Sequence, residues 1–174
     1  ELLNQLVFPA LSAQRIQFVN ARTVTPEQRA WIGDYFSQEV EPVLTPLGLD
    51  PARPFPRIQN KSLNFVVRLS GKDAFGRDAE LAVVQVPRSL PRIIRLPPST
   101  DGSGITHFVF LSAVISTFIS QLFSGMTVEG AWQFRVTRNS DLFVDDDEVD
   151  NLLRAIEGEL AQRRYGAAVR LEAS

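Results

Sequence analysis

Residues 108–123 read FVFLSAVISTFISQLF, and within them Leu111, Val114, Ile115, Phe118 and Leu122 recur at i, i+3, i+4, i+7 and i+11. That spacing puts all five on one stripe of a helix over 111–123. No charged residue lies between Leu111 and Phe123, so the helix is either buried on nearly all sides or turns its second side to another subunit. A second helix is expected over 26–41. Thr25 precedes Pro26 and stands three residues before Gln28, which makes a capping box with proline at the first helical position. Trp31, Ile32, Tyr35, Phe36 and Val40 form its apolar side. A third is expected over 145–164, where Val149, Leu152, Leu153, Ile156 and Leu160 align and Gly166 suits a C-terminal cap. Residues 1–14 carry Leu2, Leu3, Leu6, Val7, Ala10 and Leu11 on one stripe interrupted by Pro9, and read as the tail of a helix that begins upstream.

Elsewhere the period drops to two. Leu63, Phe65, Val67 and Leu69 alternate with Asn64, Val66 and Arg68; 80–86 is a second β-rich run, and the intervening SGKDAFGRD supplies two glycines for a long hairpin tip. Further strands are expected at 15–19, 92–96, 128–138 and 167–172. In the strand over 128–138, Trp132, Phe134 and Val136 occupy one face, with Gln133, Arg135 and Thr137 on the other. Prolines 42, 46, 51, 54 and 56 exclude a helix or a central strand from the connector after the second helix. Its content of Val43, Leu44, Leu47, Leu49, Phe55 and Ile58 is too apolar for a disordered linker. The expected class is therefore α+β, a mainly antiparallel sheet packed against about three main helices.

Composition narrows the chemistry. A chain of 174 residues with 44% hydrophobic and 22% charged residues is long enough to bury a core of its own. Its net charge of -2 gives no global field that would favour nucleic acid or an anionic membrane. With no cysteine, disulfides, thiolate metal ligands and a cysteine nucleophile are excluded. The longest apolar run is too short for a bilayer and carries Ser, Thr and Gln, so no membrane span is expected. Neither is a signal peptide, and a cytoplasmic location fits. The first residue is Glu, which points to an excised fragment.

Candidate reactive groups are few. Asp145, Asp146, Asp147 and Glu148 are contiguous at a helix start, where the helix dipole and free N–H groups favour acids, and they lack the alternate spacing and glycine of a Ca²⁺ loop. We therefore read them, with the Asn139–Asp141 turn, as helix entry and expect no metal site. His107 is the only histidine, with no acid or nucleophile at motif spacing. No glycine-rich phosphate loop, H-E-x-x-H or G-x-S-x-G pattern occurs. Two basic groupings remain: Arg88, Arg92 and Arg95 in PRSLPRIIRLPP, and Arg135 and Arg138 in FRVTR. Guanidinium groups match phosphate oxygens, so these five are the polyanion candidates. The first grouping lacks interleaved aromatics for base stacking, which disfavours nucleic acid. Val114, Phe118, Ile119 and Leu122 on the uncharged helix are the interface candidates. No catalytic residue is assigned.

The run QRAWIGDYFSQEVEPVLTPLGLDPARPFPRIQNKSLNFVVRL, then VQVPRSLPRIIRLP, then FRVTRNSDLFVDDDEVDNLL and RRYGAAVRLE, resembles the middle, or head, domain of the long-chain polyphosphate kinases of bacteria. The likeness covers nearly the whole chain in the family's order. It implies residues 1–20 as the end of an upstream helical domain with its linker, and residues 21–174 as the middle domain. It also implies a parent enzyme that reversibly moves the terminal phosphate of ATP onto polyphosphate through a phosphohistidine, with Mg²⁺, on domains outside this chain. The expected role is non-catalytic, structural and dimerising, within a homo-oligomer and beside the remaining kinase domains. The alternative is a polyanion-binding module that helps line the polyphosphate tunnel. His107 matches no catalytic position of the family, and the uncharged helix departs from relatives that carry charges there.

Overall fold

The computed structural model describes residues 2–20, 24–50, 52, 54–73, 76, 80–98, 103–139 and 167–174. The chain is α+β and forms two compact units, each assembled from two separated stretches: 1–44 with 88–125, and 45–87 with 126–174. The expected helix over 145–164, its capping Gly166 and the acids Asp141 and Asp145–Glu148 lie outside the described residues.

The first unit opens with a π-helical turn, Leu3–Val7, that runs into α1 (Phe8–Ala13). A second π turn, Phe36–Val40, extends α2 (Pro26–Tyr35) and leads to the 3-10 turn Glu41–Val43. Both π turns sit before a proline. Phe8 N–H reaches Leu3 C=O and Glu41 N–H reaches Phe36 C=O, and the next residues, Pro9 and Pro42, have no N–H to continue the ladder. The helix therefore widens at Pro9 and continues. The capping box of α2 is present: Gln28 N–H donates to Thr25 Oγ1 at 3.3 Å, and Thr25 N–H donates to Gln28 Oε1 at 3.2 Å.

This unit's sheet has the order β1 (Ile16–Phe18), β6 (Thr106–Phe110), β5 (Ile93–Arg95), parallel between β1 and β6 and antiparallel between β6 and β5. Strand β6 is absent from the expected elements. Its residues are as apolar as the helix that follows, and in a run apolar on all sides a strand and a helix share one signature. The single expected sheet is thus two, with residues 93–95 pairing to β6 in a sheet of their own. α3 (Leu111–Phe118) follows and ends in the 3-10 turn Ile119–Leu122. Ile32, Phe36, Val40, Val109, Leu111, Val114 and Ile115 are almost wholly buried.

The second unit is a five-stranded antiparallel sheet in the order β2 (Thr45–Gly48), β4 (Leu81–Gln85), β3 (Asn64–Gly71), β7 (Met126–Arg138), β8 (Ala168–Ala173). Strand β2 falls inside the proline-rich connector, and its position explains how. Leu49 N–H bonds Leu81 C=O, so by antiparallel alternation Leu47 and Thr45 face β4 while Pro46 turns its missing N–H to the open edge. The connector then sends Ile58 back against Val83 and Val136, with Leu49 and Phe134 packed on that cluster. On the opposite face Phe65, Val67, Leu69, Ala82 and Val84 are buried.

Candidate functional site

On β7, Arg135 stands directly opposite Glu172 of β8. Arg135 Nε donates to Glu172 Oε2 at 2.6 Å, and its second guanidinium nitrogen pairs with the same oxygen. Arg170, two residues away on the same face of β8, reaches Glu172 Oε1 at 2.8 Å. The hydrogen bond from Arg135, joined by both positive charges, holds the Glu172 carboxyl below its ordinary value. Two guanidinium groups on one carboxylate leave the cluster with one net positive charge. Glu172 and Arg170 escaped the candidate residues because nothing in the sequence says which residue faces Arg135 until the register of β7 on β8 is known.

Arg138 serves a different purpose. Its Nε donates to Ile58 C=O at 2.8 Å and its own N–H donates to Asn60 Oδ1 at 2.9 Å, so it fastens the connector to the end of β7. The other three arginines belong to the first unit. Arg88 and Arg92 are near enough to interact: the Arg92 guanidinium is held below its ordinary value first by desolvation and then by the Arg88 charge. Arg95 lies on β5 opposite Phe108, and Phe108 lies opposite Phe18 of β1. The Phe18 ring stacks on Phe108 and Phe110 at centroid distances of 5.8 and 4.8 Å and meets the Phe8 ring at a tilt, 5.3 Å away. Aromatic neighbours missing from the sequence around Arg95 thus arrive from other elements. The five polyanion candidates divide three and two between the units.

The interface candidates divide as well. Val114 and Ile119 are buried inside the first unit, and a carboxylate at position 119 would test its folding and not its association. Phe118 stacks on Phe36 at 5.5 Å and packs beside Gly33; it and Leu122 are half-buried. The uncharged helix owes much of its composition to burial within the chain. Large apolar side chains are exposed elsewhere, with Leu2, Leu3 and Leu6 at 49–72% and Val169 and Leu171 of β8 at 63% and 68%.

His107 Nδ1 lies 3.3 Å from Gln28 Nε2, the side chain that closes the α2 capping box. Among the described residues no cluster of three or more His, Asp or Glu is placed to hold a metal ion, and no helix is long and apolar enough to cross a membrane.

Comparison with known proteins places this architecture. Residues 27–174 match the family model described as the polyphosphate kinase middle domain. A polyphosphate kinase of Pseudomonas putida is 52% identical over 98% of the chain, and one of Xylella fastidiosa (strain 9a5c) is 55% identical over 97%. The chain spans only 23% and 24% of those proteins. The crystal structure of polyphosphate kinase from Porphyromonas gingivalis shares the fold, with a TM-score of 0.68 over 91% of the chain and 26% of its own length, at 24% identity. The chain belongs to the polyphosphate kinase middle-domain family.

Proposed function

We propose that this chain is a non-catalytic structural and association domain of a polyphosphate kinase. In the full-length protein, ATP, Mg²⁺ and the groups that reversibly transfer the terminal phosphate to polyphosphate belong to other domains, in the cytoplasm. The observation that carries the reading is the exposure of large apolar side chains on two separate elements, the segment holding Leu2, Leu3 and Leu6 and the strand holding Val169 and Leu171. Each such side chain costs about 1.5–3 kcal/mol to leave in water when it has a surface to cover it. The remaining kinase domains and a second copy are the partners these surfaces serve. Light scattering across a concentration series tests the association. A dimer that dissociates on dilution supports it, and a monomer at every concentration removes it. ATP turnover by this chain alone would overturn the non-catalytic part.

The second reading, polyphosphate capture, is favoured by the nearness of Arg88 and Arg92, two guanidinium groups of the kind that match phosphate oxygens. Arg95 follows on β5; Arg135 and Arg138 bond Glu172 and Ile58 in the other unit. Binding to a long polyphosphate is then expected at low salt and lost as salt rises. Arg92→Ala should weaken it. No binding at low salt ends this reading.

A further inference from the structure

The three-stranded sheet of the first unit has one buried face and one open face. Ile94 and Val109, paired on the first, are buried. On the reverse face Phe18 of β1, Phe108 of β6 and Arg95 of β5 form one row across the strands, with Phe110 and Ile93 beside it, and none of the five is buried. Strands about 4.8 Å apart let rings on neighbouring strands stack, and Phe18 stacks on both Phe108 and Phe110. The stack ends one strand short of the sheet's rim. Over β5 the row continues with Ile93, 47% exposed, and with the exposed Arg95.

The charge around this face has one sign. Residues 2–20 and 88–125, which supply the sheet, carry Arg15, Arg88, Arg92 and Arg95 against a single acid, Asp101. Arg15 stands at the end of the two central elements, where its C=O accepts Thr106 N–H at 2.8 Å. An occupant that suits the face must therefore be anionic and must also cover aromatic rings. A chain of phosphates alone meets the first demand and leaves the rings in water, whereas a nucleic acid strand meets both. Its bases have to be unpaired, because a duplex keeps their flat faces inside its own stack. The aromatic neighbours that the sequence around Arg95 lacks are thus supplied by β1 and β6. We infer that the reverse face of the β1–β6–β5 sheet binds single-stranded nucleic acid, with a base continuing the phenylalanine stack beside Phe108 and Arg95 holding an adjacent phosphate.

Fluorescence anisotropy with labelled oligo(U) and oligo(dT) of about 12 nucleotides tests this on the 174-residue chain and on the full-length protein. Both should bind the strand at low salt and release it as salt rises. Phe108→Leu keeps most of the apolar volume and removes the ring, so affinity should fall about tenfold, the loss of one stacked base. Arg95→Ala should weaken binding and lower the slope of log affinity on log salt by about one. Circular dichroism melts check that each variant folds, and Arg95→Ala decides the matter if Phe108→Leu does not. No binding of either oligonucleotide at low salt overturns the inference. Equal affinity for a duplex of the same length overturns it too, as does wild-type affinity in folded Phe108→Leu or in Arg95→Ala, since the named groups would then take no part. Uridine monophosphate bound as tightly as the strand would make the face a nucleotide pocket and overturn strand docking. Binding by the 174-residue chain that the full-length protein lacks would mean that another domain covers the face, which is equally fatal.

Discussion

The indole of Trp132 lies over Gly130, two residues earlier on the same face of β7, so that a Cβ at position 130 would collide with ring atom Cη2 and stand 2.8 Å from Cζ2. The glycine occurs at an irregularity where Arg68 pairs with Gly130 and Leu69 skips to Val128. Without a side chain at 130 the ring covers the strand's own backbone, even though Trp132 remains 45% exposed. Gly130→Ala should expel the ring and cost about 1 kcal/mol, after the gain from a less flexible unfolded chain. In a Trp31→Phe background the emission of Trp132 should shift to the red. Trp132→Ala combined with Gly130→Ala should cost clearly less than the sum of the two single changes, because the clash vanishes with the ring.

Asn64 is fully buried on β3, and its Nδ2 donates to Ser62 C=O at 2.9 Å and to Ser62 Oγ at 3.0 Å. The Ser62 hydroxyl passes the chain on to Gln59 C=O at 2.9 Å, which anchors the end of the proline-rich connector. Asn64→Asp replaces two donors with lone pairs facing a carbonyl and should cost about 3 kcal/mol at neutral pH. Burial raises the folded-state pKa of the new carboxyl above its unfolded value. Its neutral form is then the tolerated one, so the deficit should be smallest below about pH 4 and widen as pH rises. Urea unfolding of both proteins from acid to neutral pH measures this.

The antiparallel hairpin β3–β4, the capping box and the apolar stripe of α3 were legible because each is set by neighbours in sequence. Thr25 and Gln28 are three residues apart, and Phe65, Val67 and Leu69 alternate without interruption. What stayed hidden depends on partners far along the chain. No strand is expected at Thr106–Phe110 because nothing local separates a buried strand from the buried helix that follows, and the pairing of Thr106–Phe108 with Ile16–Phe18 lies some ninety residues away in sequence. Strand β2 hid behind Pro46, harmless only because it faces outward at an edge. The candidate site was half legible. Arg135 could be placed on the polar face of its strand from alternation, but its engagement with Glu172 needed the register of a strand 37 residues further on.

The Glu172 carboxyl has a pH signature of defined sign. Its folded-state pKa is lowered from the ordinary 4.5, chiefly by the hydrogen bond from Arg135. A depressed carboxyl contributes stability that is fully present above the ordinary value and is lost as pH falls through the folded one. Glu172→Gln should therefore be less stable than the wild-type chain at neutral pH, and the difference should close as the medium is acidified below about pH 4. The group is partly exposed, so the effect is small and should shrink further in salt. Unfolding midpoints in urea at several pH values, with and without salt, check both trends.

The α2 capping box reaches beyond its own helix. Gln28 Oε1 accepts from Thr25 N–H while Gln28 Nε2 lies 3.3 Å from His107 Nδ1 on β6, so one amide closes the helix end and ties it to the sheet. For that contact Nδ1 acts as the acceptor. Thr25→Ala removes the acceptor for Gln28 N–H and should cost about 1 kcal/mol, while Thr25→Ser should cost little. Gln28→Ala loses the reciprocal bond and the link to His107 together, and should cost more than Thr25→Ala. His107→Phe leaves the capping box whole and should cost less than Gln28→Ala, and in its presence the excess cost of Gln28→Ala over Thr25→Ala should disappear. Urea denaturation of the set distinguishes a helix cap that acts alone from one coupled to the strand. Strict additivity between positions 28 and 107 would show that the contact contributes nothing.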